Sequence, residues 1–209
     1  MSGRIIMSDA CVLEGAVWLA AREPRFARAL PLVSPLPLRR EADGFAALLR
    51  AIVGQQVSVA SAQSVWARLE AAGLTDAPAM SRASDADLRA VGLSQQKARY
   101  GRALADADLD FAGLRDLSDA ELVARLIVLP GIGVWTAEIY AMFALGRADV
   151  FAPGDLAMQE AARDLFGLAA RPSEKALRAM AEAWSPWRSV AARMLWAWYQ
   201  VAKQREGVL

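Results

Sequence analysis

The 209 residues carry 24 Lys+Arg against 23 Asp+Glu, a net charge of +1, and 56% of them are hydrophobic, with a mean hydropathy of +0.22. Such a chain buries a generous core in one large domain or two small lobes, and its charge gives no global pull toward nucleic acid, so any such binding must come from a local surface. There is no histidine and a single cysteine, Cys11; this excludes an imidazole proton shuttle, an internal disulfide and a Cys/His-bound zinc or iron-sulfur site, and points to a reducing compartment.

No segment approaches the ~20 uncharged apolar residues that cross a bilayer. The N-terminal run CVLEGAVWLAA is interrupted by Glu14 and lacks a basic region and cleavage motif, so a cytoplasmic protein without a membrane partner is expected. Apolar residues recur at three and four and β-branched alternation is nearly absent, which reads as an all-α chain. Residues 1–40 read as a helix and an irregular Pro-rich connector, PLVSPLPLRR. Phe45, Leu48, Leu49 and Ile52 then share one helical face that ends at Gly54. Ser58 caps the next helix and Gly73 closes it. Ser84 and Ser94 open two short helices around VGLS, the second carrying Lys97 and Arg99 near its start, where they meet either phosphate or solvent. Ser118 and Glu121 form a capping box before LVARLIVL, which Pro130-Gly131 breaks. A helix follows from about Val134 to Leu145 with Gly146 as its stop. Asp155 begins another that ends at Gly167, Ser173 the next, and Ser185-Pro186 the last, through Trp198 to about Lys203.

The turn Pro130-Gly131-Ile132-Gly133 stands between two helices. Glycines there let backbone amides approach a ligand, and the start of the helix at Val134 adds unpaired N–H groups and the positive end of a dipole, a combination suited to phosphate. An ordinary helix-to-helix turn accounts for PGIG alone equally well. The aspartate that follows, Asp155, lies 22 residues after Gly133, and Pro-Gly-Asp before a helix is by itself a good N-cap.

Taken together, AIVGQQVSVASA, GLSQQKARY, LPGIGVWTAEIYAMFALGRADVFAPGDLAMQ and WSPWRSVAARMLWAWY resemble, in order and spacing, the helix-hairpin-helix DNA glycosylase superfamily. Within it the chain is similar to the short 3-methyladenine DNA glycosylases. The resemblance covers roughly residues 45–200. It implies a two-lobed helical fold with a cleft between the lobes: residues 1–40 as helix and connector, about 45–115 as the first lobe, and about 116–209 as the hairpin and C-terminal helices, with the N-terminal segment packing there. It also implies a monofunctional hydrolase that releases alkylated purines, 3-methyladenine and 7-methylguanine, from double-stranded DNA by base flipping. A monomer associated with the nucleoid, with no cofactor and no catalytic metal, and a monovalent cation at the hairpin are part of the same expectation.

The chemistry agrees with that implication. Breaking a base-sugar bond builds positive charge on the sugar, which one ionised carboxylate stabilises while it orients water; the match in DVFAPGDL gives that role to Asp155. A cationic base leaves without a proton and is held by electron-rich rings. The resemblance places Trp135 and Trp196 in that pocket together with Ile139, where larger relatives often have Tyr, while Trp184, Trp187 and Trp198 fall to the core. Bifunctional members carry a lysine where Trp135 stands, so no lyase activity is expected. Gln56 matches the wedge that fills the space of a flipped base, although Gln55 and Gln56 also suit a merely solvated loop. Gly131, Ile132, Gly133, Val134 and Lys97 are the candidate DNA contacts, and Gln159 falls where relatives often carry a basic residue. Two alternatives stand beside this reading: a non-catalytic helix-hairpin-helix module, and a glycosylase for deaminated or mismatched bases.

Overall fold

The structure, a computed structural model, describes residues 3–206 and contains helices and one isolated antiparallel bridge, Ile5 with Arg147, but no strand among those residues. Contacts divide it into Glu41–Tyr140 and a second unit made of Gly3–Arg40 with the described part of Ala141–Leu209. The hairpin therefore groups with the first unit, whereas the sequence reading assigned 116–209 to one lobe. The N-terminal segment groups with the C-terminal helices.

The first unit holds α3 (Phe45–Gly54), α4 (Val59–Ala71), α5 (Ala77–Arg82), α6 (Asp85–Ala90), α7 (Gln95–Asp106), α8 (Asp119–Ile127) and most of α9 (Val134–Phe143). Leu48, Leu49, Ile52, Leu69, Met80, Leu88, Leu104, Leu122 and Leu126 are buried, and they come from the apolar stripe that each helix presents at three- and four-residue spacing. Ser58, Ser84, Ser94 and Ser118 each accept a backbone N–H in the first turn of the helix that follows, and Glu121 completes the capping box by accepting from Ser118. The six-residue α5, which the sequence reading passed over, is opened by Asp76 with Pro78 in its first turn. At the end of α9, Tyr140 donates to Asp43, which also takes the Arg115 guanidinium at 2.7 Å. Burial first, and then the Asp43 carboxylate, raise the Tyr140 pKa far above its ordinary value, so the hydroxyl stays a donor.

The second unit contains α1 (Asp9–Ala20), α2 (Pro24–Val33), α10 (Leu156–Phe166), α11 (Glu174–Ala181) and α12 (Arg188–Glu206). Residues 1–40, read as one helix and a connector, thus hold a second helix whose last residues run into PLVSPLPLRR: Glu23 caps it through the Arg25 amide and Pro24 occupies its first position, so that Pro31 is tolerated inside it. Phe26, Phe151, Phe166 and Trp184 meet edge-on or tilted with ring centres 5.3 to 5.7 Å apart, and Trp184, Trp187 and Trp198 are all buried. Gly15 lets α1 approach α12 and the residue before it, because a Cβ there would lie 2.7 Å from Val190 and 2.6 Å from the Trp187 ring. Helix α9 stops two residues before the expected Leu145. There the chain turns to pair with the N-terminal segment, Ile6 N–H donating to the Gly146 carbonyl at 2.7 Å and Ala148 N–H to that of Arg4 at 2.9 Å.

Candidate active site

The candidate residues divide between the units, and the first unit carries the hairpin. Gly131 has φ +85 and a Cβ on it would overlap the Tyr100 ring, so the fold by itself already requires this glycine. Ile132 is 4% exposed and its N–H donates to the Leu129 carbonyl at 3.1 Å; it is a core residue whose amide is already used. Gly133 differs from both. Its φ is ordinary, a Cβ there meets nothing within 4 Å, and its carbonyl accepts the Ala137 N–H as the cap of α9. The amides at Gly133 and Val134 lie at the positive end of α9, beside the exposed side chains of Val134 and Trp135.

Gln55 supplies a link that the sequence did not announce. Its Nε2 donates to the Gly131 carbonyl at 2.8 Å and to Thr136 Oγ1 at 3.2 Å, so the loop after α3 is tied to both ends of the hairpin. A glutamine between a helix-ending glycine and a cap serine signals a loop; which carbonyl it reaches depends on tertiary contacts. The neighbouring Gln56 is exposed with φ +56, a left-handed conformation that costs a non-glycine residue of order 1 kcal/mol and is held where the surroundings over-determine it. The held Gln55 thus presents Gln56 outward, into a groove also lined by Tyr100, Pro130, Gly133 and Trp135. Lys97 is committed elsewhere: its Nζ donates to the Val53 carbonyl at 2.7 Å at the end of α3, and burial lowers its pKa. It tightens the scaffold beneath the Gln55-Gln56 loop.

These contrasts define a first test. Gly131→Ala is expected to lower stability by about 1–2 kcal/mol through the left-handed backbone alone, with more from the Tyr100 overlap. Gly133→Ala is expected to melt like the parent but to bind duplex DNA roughly tenfold more weakly, a loss of about 1.4 kcal/mol, because its methyl group enters the space that the amides face. Equal affinity of Gly133→Ala and parent at matched salt would remove the hairpin amides from the DNA interface.

In the second unit Asp155 is the N-cap of α10, with Oδ1 accepting the Met158 N–H at 3.0 Å. Its own N–H donates to Ala152 at 3.0 Å, and the Gln159 N–H returns to the Asp155 carbonyl at 3.0 Å. The Gln159 side chain is 7% exposed and donates to the Pro153 carbonyl at 2.8 Å. Gln159, which stands where relatives often carry a basic residue, is thus buried and clamps the turn that carries Asp155.

Trp196 is half-buried and in contact with Phe143, ring centres 5.6 Å apart, while the Arg39 guanidinium stands 5.5 Å from its centre and 4.8 Å from that of Phe143. A ring that already faces one cation is a poor seat for a second, so the pocket role expected of Trp196 meets an electrostatic obstacle. Trp135 is 38% exposed and Ile139 is half-buried.

An all-helical chain with a Gly-rich hairpin at a helix start and, one helix later, a carboxylate capping another helix defines the helix-hairpin-helix class of DNA-acting proteins. Residues 49–188 match the HhH-GPD superfamily of base excision DNA repair proteins, and the chain belongs to that family. It is 32% identical to the DNA-3-methyladenine glycosylase 2 of Escherichia coli over 74% of this chain and 57% of that one. Among solved structures it resembles the 3-methyladenine DNA glycosylase Mag1 of Schizosaccharomyces pombe, in complex with abasic DNA, with a TM-score of 0.78 at 26% identity over 88% of this chain and 95% of that one. A DNA-3-methyladenine glycosidase from Bacillus halodurans gives a TM-score of 0.78 at 29% identity over 98% and 95%. The chain spans 40% of the length of one Bacillus subtilis relative. No helix among the described residues is long and apolar enough to cross a membrane.

Proposed function

We propose that the chain is a monofunctional DNA glycosylase that hydrolyses the N-glycosidic bond of alkylated purines, 3-methyladenine and 7-methylguanine, in double-stranded DNA. The observation that carries this reading is Asp155, fixed at the start of α10 by Met158 and by the Gln159-clamped turn, in a chain with no histidine. Its carboxylate stabilises the positive charge that develops on the sugar and orients the water that attacks it. The base departs already cationic, so no protonated partner is required. No lysine stands at the Trp135 position, and with it falls the amine needed for a Schiff base and strand cleavage.

The amides of Gly133 and Val134 anchor a phosphate and Gln56 occupies the space of the flipped nucleotide. Trp135 is the ring against which the cationic base stacks, with Ile139 as an apolar neighbour. The protein acts as a monomer, and its substrate places it at the nucleoid. The hairpin carbonyls at Leu129 and Gly131 each accept one hydrogen bond and keep a second lone pair, so they fit a monovalent cation, which would add positive charge where phosphate docks; no step of the reaction runs through it.

The decisive experiment is incubation with methylated duplex DNA and chromatographic identification of the bases released. Release of 3-methyladenine and 7-methylguanine above the spontaneous rate, with the strand left uncut, is expected. A second outcome tests the wedge. Gln56→Gly relieves about 1 kcal/mol of backbone strain but adds unfolded-state entropy of about 0.5–1 kcal/mol, so stability barely changes. Excision from a fully paired duplex should fall severalfold, and excision opposite a mismatch, where extrusion is easier, should fall less. Equal losses in both settings would show that Gln56 does not act during extrusion.

A further inference from the structure

Arg193 lies on α12 and is 1% exposed. Its Nη1 donates to the Ser189 carbonyl at 2.9 Å and hydroxyl at 2.6 Å, and its Nη2 to the Leu38 carbonyl at 2.9 Å. These bonds explain two of its three nitrogens. The third, Nε, is buried and has no partner among the described residues. A buried guanidinium is normally matched by a carboxylate, yet among the described residues Arg193 forms no ion pair, and neither do Arg39 and Arg40, whose charges act on it.

The bond to Leu38 does further work, because it fixes the backbone just before Arg39. Arg39 has φ +48, a left-handed conformation, and it extends an exposed guanidinium over Phe143 and Trp196. Arg193 is 4.8 Å from the same Phe143 ring on its own account. Arg39 and Arg193 then line a cavity of about 230 Å³ together with Pro37, Trp196, Ala197 and Gln200, a wall with no acidic side chain. Two guanidiniums, one buried with an unmatched donor, around an apolar-floored cavity form the arrangement that planar-fork donors make for an oxyanion.

We propose that Arg39 and Arg193, with Arg40 adding charge, form a site for one phosphate group at the Trp196 cavity. The phosphate is either a DNA phosphodiester or free phosphate. The first source rests on the glycosylase reading; the binding of the anion itself does not.

The test uses the full chain and two arms. In the first, melting is compared in sodium phosphate and in sodium chloride at equal ionic strength and pH 7, for the parent, for Arg39→Gln and for Arg22→Gln as a control that removes a cation elsewhere on the unit. At phosphate ten times its Kd, the parent and the control should melt about 3–6 °C higher than in chloride, and Arg39→Gln should lose that difference. In the second arm, the salt dependence of duplex DNA binding is measured. A slope shallower by about 0.9 in Arg39→Gln assigns the anion to a DNA phosphodiester, and an unchanged slope assigns it to free phosphate. If the parent melts alike in phosphate and chloride, or if Arg39→Gln keeps the phosphate response, the site does not exist, whatever the slope. Absence of base release from methylated DNA would leave the melting result untouched, so the two failures are separable.

Discussion

Asp155→Asn is expected to fold and to bind DNA like the parent while base release under single-turnover conditions falls by on the order of 10²-fold or more, as loss of one charge-stabilising group commonly does. Asparagine caps a helix about as well as aspartate, and its carbonyl oxygen can accept the Met158 N–H that Asp155 Oδ1 now takes at 3.0 Å. The Gln159 bond to Pro153 and the backbone bonds around the turn do not involve the carboxylate. The substitution therefore separates the two roles that one residue combines: the cap survives and the charge is lost. Melting within about 0.5 kcal/mol of the parent, together with unchanged affinity for duplex DNA, would show that the separation succeeded. Near-parental excision by a protein that meets both conditions would remove Asp155 from the chemistry and return it to a purely structural N-cap.

What the sequence discloses is mostly local. Ser58, Ser84, Ser94, Ser118 and Asp155 each sit one residue before a helix and each accepts a first-turn amide, because a cap is written within four residues of chain. The failures involve partners far away in sequence. Pro31 looked like a breaker, yet α2 keeps it because Glu23 and Pro24 secure the start and Phe26, Ala29 and Val33 are buried. The end of α9 is set by pairing with Arg4 and Ile6, about 140 residues earlier. The same division holds at the site. The hairpin glycines were visible, but only the position of Tyr100 shows that Gly131 serves packing while Gly133 faces open space. Lys97 reads as a contact to phosphate or solvent and Gln159 as a neutral replacement for a basic residue, and each turns inward to a carbonyl, of Val53 and Pro153. A side chain's charge is legible in sequence; the acceptor it finds is a property of the fold.

Cationic 3-methyladenine is expected to be excised at least about 10²-fold faster than neutral hypoxanthine, once each rate is divided by the spontaneous release of that base. A neutral purine leaves well only if a general acid protonates it, help worth roughly 10²–10⁴-fold, and this chain lacks the residue most often used for that task. It has no histidine. Lys97 is tied to the Val53 carbonyl. Arg193, whose pKa burial and then Arg39 and Arg40 bring down to about 10, still holds its proton firmly at pH 7. Holding the cation falls to Trp135, so Trp135→Ala should slow release of 3-methyladenine by about 2- to 30-fold, the range that cation–π contacts of about 0.5–2 kcal/mol allow. Trp196→Ala should slow it less, because Arg39 already occupies the neighbourhood of that ring. A larger loss from Trp196→Ala would return the base pocket to α12. If hypoxanthine leaves as readily as 3-methyladenine in single turnovers, the enzyme protonates its leaving group through some other donor, and catalysis by the charge of the base alone is wrong.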